Sequence, residues 1–383
     1  MEEKTLNALR KEMDGIDSRL VGILCERMEM AGKIGEYKKE RGLPVLDSAR
    51  ERQKSTETAK LAGPEYADDT RALYALLFEL SRAHESRLNR ETTPLGERIR
   101  ESLRETKPLF PPSATVACQG VEGAYSQRAC EKLFRFPELL YFRDFEHVFT
   151  AVDSGLCRYG VIPLENSTAG SVNKVYDLMI ERSFQIVRST RVRVTHNLMA
   201  KAGTALQDVR EIFSHEQAIS QCDGFLSGLK NVKVTACENT AAAAKFVAGS
   251  DRKDVAALAS EECLALYGLN CLAPSVQDQG RNDTRFICIS KKPEIYPGAD
   301  RTSIMMVLPN RPGSLYRVLG RFYALGMNLI KLESRPIPER DFEFMFYFDL
   351  DVSVYSPEFL RLMGDLQDMG GKFRYLGSYS EVI

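Results

Sequence analysis

Residues 278–290 read DQGRNDTRFICIS. Their second half is the apolar run Phe286-Ile287-Cys288-Ile289, of the kind that forms a strand buried on both faces. Their first half is charge and amide gathered around one hydroxyl, Thr284, with no histidine, metal-ligand cluster or glycine cradle beside it. A lone threonine at the mouth of a buried strand suits a reaction that needs a proton donor in a tight polar box and little else.

Working outward, residues 114 to about 292 repeat this texture. The short apolar runs TVACQG, YGVIPL, REIFS, KVTAC and VAALA alternate with helical segments such as DFEHVFTAVDSG and TAAAAKFVAG. That alternation predicts an α/β unit. Polar stretches stand at its strand-to-helix junctions: QGVEGAYSQRA with Ser126, VIPLENSTAGSV with Glu165, Asn166, Ser167 and Thr168, IFSHEQAISQC with Ser214, His215, Gln217 and Gln221, and CENTAAAA with Asn239 and Thr240. Each alone reads as a helix cap or turn. Together with NDTRF they lie where open α/β sheets place their ligands.

The flanks differ. Residues 1–91 read as helix only, the first running without proline from Thr5 to Glu40, with Leu6, Leu9, Met13, Ile16, Leu20, Ile23, Leu24 and Ile34 at spacings of three and four. Such a helix is roughly 50 Å long, more than so small a unit covers alone, so an intertwined dimer is expected to bury the stripe. Asp47 or Ser48 caps a second helix, and a third runs from about Asp68 to Arg90. Residues 92–113 are charged and then proline-rich, which predicts a linker. Residues 300–383 give strand, helix, strand, strand, helix and a last strand near FRYLGSYS, a ferredoxin-like α+β order.

Composition narrows the function. The chain has 383 residues, 44% hydrophobic and 27% charged, with a formal net charge of −1. Two to four soluble domains are expected. Nothing marks the chain for nucleic acid or for an anionic membrane surface. It opens Met1-Glu2-Glu3-Lys4 without a secretory pattern, and no apolar run approaches the ~20 residues that span a bilayer. Nine cysteines are scattered without a C-x-x-C pair and four histidines lack metal-ligand spacing. A cytoplasmic chain with no metal and no cofactor is therefore expected.

The helical unit carries cations on its apolar stripe. Arg27 and Lys38 are eleven residues apart, about 20° around a helix, and Arg10 lies on the shoulder of the same face. Salt bridges to Asp47 or Glu51 would account for them; so would a pocket for a small polyanion. The stretch LNALRKEMDGIDSRLVGILCERMEMAGKIGEYKKERGLPVLDSARER resembles the all-helical chorismate mutase family. The resemblance implies Arg10 (from a partner subunit), Arg27, Lys38, Asp47, Arg50 and Glu51 as substrate ligands. The reaction is an intramolecular pericyclic rearrangement of chorismate to prephenate, helped by holding a compact conformer and stabilising charge on the ether oxygen. Arg10 and Arg27 would hold two carboxylates, Lys38 would donate to the ether oxygen, and Asp47 and Glu51 would accept from the ring hydroxyl. On the third helix the family usually has Ser-x-x-x-Gln; here Ser81 and Glu85 occupy that spacing, with Asn89 the alternative one turn on.

From 114 to 292 the ENS, SHEQAISQC and TRF motifs resemble prephenate dehydratase, whose fold is two α/β lobes similar to periplasmic binding proteins with the site in the cleft. That resemblance makes Thr284 the principal catalytic residue, with Asn166, Ser214 and Gln221 as polar partners. Thr240 at its helix start and Arg285, suited to a carboxylate, complete the expected substrate contacts. Residues 300–383 resemble the ACT regulatory domain of such enzymes, with Asn310, Gly313-Ser314-Leu315 and Glu333-Ser334-Arg335-Pro336 matching its phenylalanine site. The expectation is a homo-oligomer, dimer or tetramer, that carries both activities in phenylalanine biosynthesis and is inhibited by phenylalanine. The alternative is a non-enzymatic, amino-acid-responsive regulator built on binding-protein-like lobes.

Overall fold

A computed structural model describes residues 6–88, 93–337, 343–369 and 371–383. The chain divides into two compact units: the N-terminal helices as far as Arg98 together with Arg361–Met369, and the rest.

Helices α1 (Leu6–Glu40) and α2 (Ser48–Leu88) build the first unit. Asp47 caps α2, its Oδ1 accepting from the Arg50 N–H at 2.9 Å. Gly63, with φ 76° and ψ 170°, breaks α2 just before Pro64, so the second and third expected helices share one rod bent at a residue only glycine tolerates. The buried positions of α1 are Ala31, Gly32 and Gly35, small residues that let α2 approach. Its apolar stripe stays open to solvent in the single chain, with Leu20 55% and Ile23 62% exposed.

The expected linker is partly helical: α3 spans Pro94–Glu105. A first α/β lobe follows, with β1 (Ser113–Gln119), α4 (Tyr125–Leu133), β2 (Phe136–Phe142), α5 (Phe145–Asp153), β3 (Tyr159–Asn166), β4 (Gly170–Ser171), α6 (Asn173–Glu181) and β5 (Gln185–Arg193). The second lobe contains β6 (Asn197–Ala200), β7 (Glu211–Ser214), α7 (Glu216–Gln221), α8 (Asp223–Ser227), β8 (Lys233–Ala236), α9 (Thr240–Gly249), β9 (Val255–Ala259), α10 (Glu262–Tyr267) and β10 (Asn270–Ala273), with strand order β10-β6-β9-β7-β8. The chain then returns to the first lobe as β11 (Asp283–Ser290), which inserts between β5 and β3. It is buried along its length, as its unbroken apolar run requires.

The C-terminal segment adds β12 (Arg301–Leu308), α11 (Ser314–Ala324), β13 (Asn328–Pro336), β14 (Phe344–Asp351), α12 (Pro357–Asp368) and β15 (Phe373–Val382). Its strand order β13-β14-β12-β15 is the ferredoxin-like one. It is not a separate sheet: β15 pairs in parallel with β5, so first-lobe and C-terminal strands form one ten-stranded sheet. Met305, Met345, Tyr347, Leu376 and Tyr379 share a core with Val148, Ile162, Tyr176 and Ile287 of the first lobe.

Candidate active sites

In the helical unit, α1 and α2 bring five of the expected residues together along their contact. The Arg27 guanidinium donates to Ser81 Oγ at 2.5 Å and to the Leu77 carbonyl at 3.2 Å. Lys38 Nζ donates to Glu85 Oε2 at 3.0 Å and to the Val45 carbonyl at 2.7 Å. Glu51 is paired with Arg82. Glu85 sits in this row because α1 offers no side chain at Gly35, where a Cβ would lie 3.0 Å from Glu85 Cβ. Asp47, the cap of α2, and Arg50, in its first turn, are both exposed. Arg10 is seventeen residues from Arg27, about 26 Å along one helix, so it cannot reach the same small ligand within one chain. Asn89 lies outside the described residues.

The second site is a cleft of about 310 Å³ between the lobes. Its floor is the end of β11 against the end of β3, where Thr284 and Asn166 are register partners. Asn166 Nδ2 donates to Thr284 Oγ1 at 2.9 Å and to Asn282 Oδ1 at 2.6 Å. With its oxygen already accepting, the threonine's own hydrogen is free to point at a ligand. Asn166 Oδ1 accepts from the Thr168 and Ala169 N–H groups, at 3.0 and 2.8 Å, and from Gln221 Nε2 at 3.5 Å. Gln221 Oε1 accepts from Asn282 Nδ2 at 2.8 Å and lies 3.0 Å from His196 Nε2.

Helix starts form the walls. Tyr125 and Ser126 open α4, Thr240 opens α9 behind the cap Asn239, and His215 caps α7, its ring accepting from the Gln217 N–H. Backbone N–H groups and the positive ends of helix dipoles thus face the cleft. Among the described residues no lysine or arginine lines it; its one carboxylate, Glu238, is paired with Arg143 at 2.8 Å.

Two expected contacts are corrected. Arg285 points away from the cleft, because neighbours on a strand face opposite ways. It is 2% exposed, ion-paired with Asp349 and bonded to Tyr379 Oη at 2.9 Å. Ser214 is fully buried and donates to the Leu258 carbonyl at 2.8 Å, tying β7 to β9 instead of facing the cleft.

The sequence reading missed His196, on the crossing from β5 to β6, and left Asn282, on the return into β11, out of the substrate contacts. These crossings run side by side, Val194 N–H bonding the Asn282 carbonyl at 2.7 Å and Val276 N–H the His196 carbonyl at 2.8 Å. Since Gln221 Oε1 can only accept, the His196 nitrogen facing it carries the hydrogen, leaving Nδ1 without a partner among the described residues. Burial holds this imidazole below its ordinary range and so neutral. A single histidine between two apolar runs, RVRVTHNLMA, was the only signal.

The expected effector segments lie at one end of the C-terminal sheet, for Leu308 and Pro336 both pair with Phe344. Gly313 starts α11 with φ 82°. Asn310 and Ser334 are exposed and Leu315 is half-buried. Glu333 does not share the face of Ser334: its carboxylate accepts from Ser171 Oγ in the first lobe.

Polar donors and helix starts around one hydroxyl, and a second row of cations and carboxylates between helices, define an enzyme for small carboxylated molecules that works by placed hydrogen bonds and charge. The family described as prephenate dehydratase matches residues 116–294, and that described as chorismate mutase type II matches residues 9–86. The bifunctional chorismate mutase/prephenate dehydratase of Aquifex aeolicus (strain VF5) is 31% identical, over 100% of this chain and 99% of that protein. The arogenate dehydratase/prephenate dehydratase 2, chloroplastic, of Arabidopsis thaliana is 37% identical, over 69% and 72%. The solved prephenate dehydratase from Arthrobacter aurescens, in complex with L-Phe, superposes with a TM-score of 0.64 at 27% identity, over 70% of this chain and 89% of that one. The chain belongs to the bifunctional chorismate mutase/prephenate dehydratase family. It is an enzyme with two activities, the rearrangement of chorismate to prephenate and the decarboxylative dehydration of prephenate to phenylpyruvate.

Proposed function

We propose that Thr284 is the group that helps the ring hydroxyl of prephenate to leave, and that the cleft is kept free of cations for a chemical reason. The bond from the ring to its carboxylate breaks and CO₂ departs. The electron pair enters the ring, the C–O bond breaks at the far end, and the hydroxyl leaves as hydroxide, its growing charge met by the Thr284 hydrogen bond, and takes a proton from solvent to become water. The ring's charge is consumed, so an arginine on that carboxylate would stabilise the ground state more than the transition state. Helix starts at Tyr125 and Thr240 are weaker partners, enough to orient the carboxylates. Asn166 keeps the threonine's hydrogen directed at the leaving oxygen, while Gln221 and Asn282 hold Asn166. The observation that carries this reading is the 2.9 Å bond from Asn166 to Thr284.

In the mutase, Arg27 and an Arg10 from a second copy hold the carboxylates, with Lys38 and Glu85 at the ether oxygen and Ser81, Asp47, Arg50 and Glu51 around the ring. The exposed stripe of α1 supports dimer formation. The ferredoxin-like unit is read as an ACT domain that senses phenylalanine at the start of α11, with Asn310, Gly313, Leu315 and Ser334 at the site. The L-Phe complex of the Arthrobacter aurescens relative supports this. Nine free thiols, most of them buried, fit a reducing cytoplasm. The test is to supply chorismate and follow prephenate and phenylpyruvate with and without phenylalanine. Phenylpyruvate should form from chorismate alone and fall when phenylalanine is added. Unchanged flux with phenylalanine would remove the sensing role.

A further inference from the structure

We propose that Lys331 and Glu333 on β13 are positioning residues for the dehydratase reaction, holding from the C-terminal sheet the β3–β4 hairpin that presents Asn166 to Thr284. The hairpin is short. Glu165 pairs with Ser171 and Asn166 with Gly170. Asn166 Oδ1 also caps the turn through the Thr168 and Ala169 N–H groups, so turn and side chain move together. Ser171 Oγ donates to Glu333 at 2.5 Å and accepts from Lys331 at 2.8 Å, which uses its one hydrogen and a lone pair. Lys331 reaches on to Glu165 at 2.8 Å, next to Asn166 in the chain.

Both strands that meet at the reacting hydroxyl are gripped from this side. On β11, Arg285 next to Thr284 is paired with Asp349 of β14 and lies 3.4 Å from Glu165. The clamp is partly buried, with Lys331, Glu333 and Glu165 side chains 16%, 22% and 27% exposed, where charge-assisted bonds are stronger than in water. A catalytic hydrogen bond is sensitive to small misplacement. Movement of β13 would therefore reach Asn166 through Ser171 with no intervening loop. That Glu333 serves this clamp also explains why it faces away from Ser334.

The positioning role does not depend on phenylalanine; only its use in feedback rests on the sensing role proposed above. The full-length enzyme is assayed for both activities as Ser171→Ala, Glu333→Ala and Glu333→Gln. Ser171→Ala and Glu333→Ala should lower dehydratase kcat about tenfold, by analogy with other small losses of placement. KM should shift less than kcat. Glu333→Gln, which keeps an acceptor for Ser171, should recover most of the loss. Mutase turnover by the same polypeptide reports the amount of intact enzyme, and an unfolding transition like that of the wild type is the control for folding. If Glu333→Ala fails that control, Ser171→Ala decides, since it removes one oxygen from a half-buried turn. Dehydratase kcat within twofold of wild type in Ser171→Ala overturns the proposal, and so does a Glu333→Gln loss equal to that of Glu333→Ala. If phenylalanine inhibits the wild type, Glu333→Ala should blunt that inhibition. If it does not inhibit, the sensing role falls and the kcat comparison still decides the clamp.

Discussion

At the scale of single residues the proposed dehydratase mechanism rests on one hydroxyl, whose oxygen accepts from the Asn166 amide. Thr284→Ala removes the donor and leaves Asn166 Nδ2 still bonded to Asn282. Dehydratase kcat should fall by ~10²-fold or more, the usual cost of losing one preorganised donor, while mutase kcat stays unchanged. Steady-state assays of both reactions on one preparation check this. Glu85 raises a different question. As a carboxylate it accepts a hydrogen from Lys38 at 3.0 Å and has none to offer an ether oxygen. Glu85→Gln supplies a donor at every pH and releases Lys38 from its ion pair. Mutase kcat at neutral pH should rise, read from pH–rate profiles of both proteins. An unchanged profile would put the second donor elsewhere, with Asn89 next to be tried. Thr284, Asn166 and Gln221 were legible in the sequence as polar residues at strand and helix junctions. Arg285 and Ser214 were misread because motif membership says nothing about which way a side chain turns. The residue after Thr284 on a strand must face the opposite side.

At the scale of elements, the contact between α1 and α2 brings the proposed mutase residues together. Gly35 lets Glu85 lie against α1, and a methyl group there would meet Glu85 Cα at 3.1 Å as well as its side chain. Backbone gives way less readily than a flexible tip, so Gly35→Ala should push the helices apart at the Lys38–Glu85 pair. Mutase kcat should drop ~10-fold or more through misplacement, with dehydratase turnover retained. Circular dichroism should show the helices still formed. The heptad-like spacing on α1 and the alternation of strands and helices from 114 to 292 were legible, since both patterns are written in short windows. Strands β2, β5, β6 and β10 were not among the expected runs. Charged and polar residues interrupt β2 and β5, and β6 and β10 have four residues each.

At the scale of the whole molecule, Arg10 and Arg27 are about 26 Å apart on one helix, so the proposed mutase site predicts that a second chain completes it. Arg10→Ala and Lys38→Ala should each be nearly inactive as mutases. Unfolding and refolding them together should restore activity to about a quarter of wild type, because half of randomly paired dimers are mixed and each mixed dimer has one intact site of two. Failure of the mixture to exceed either parent would place Arg10 outside the site. The dehydratase offers no such complementation, since Thr284 and Asn166 come from one chain.

The sequence by itself determined the three textures, the family and most of the residues proposed to face the two substrates. These follow from periodicity, caps and motifs that span a few residues to a few tens of residues. Tertiary structure alone decided the rest. It paired Asn166 with Thr284 across 118 positions, ran β15 alongside β5, and sank Arg285 against Asp349. It also turned Glu333 toward Ser171. Each of these depends on which distant strands become neighbours and in what register, and no local pattern carries that information.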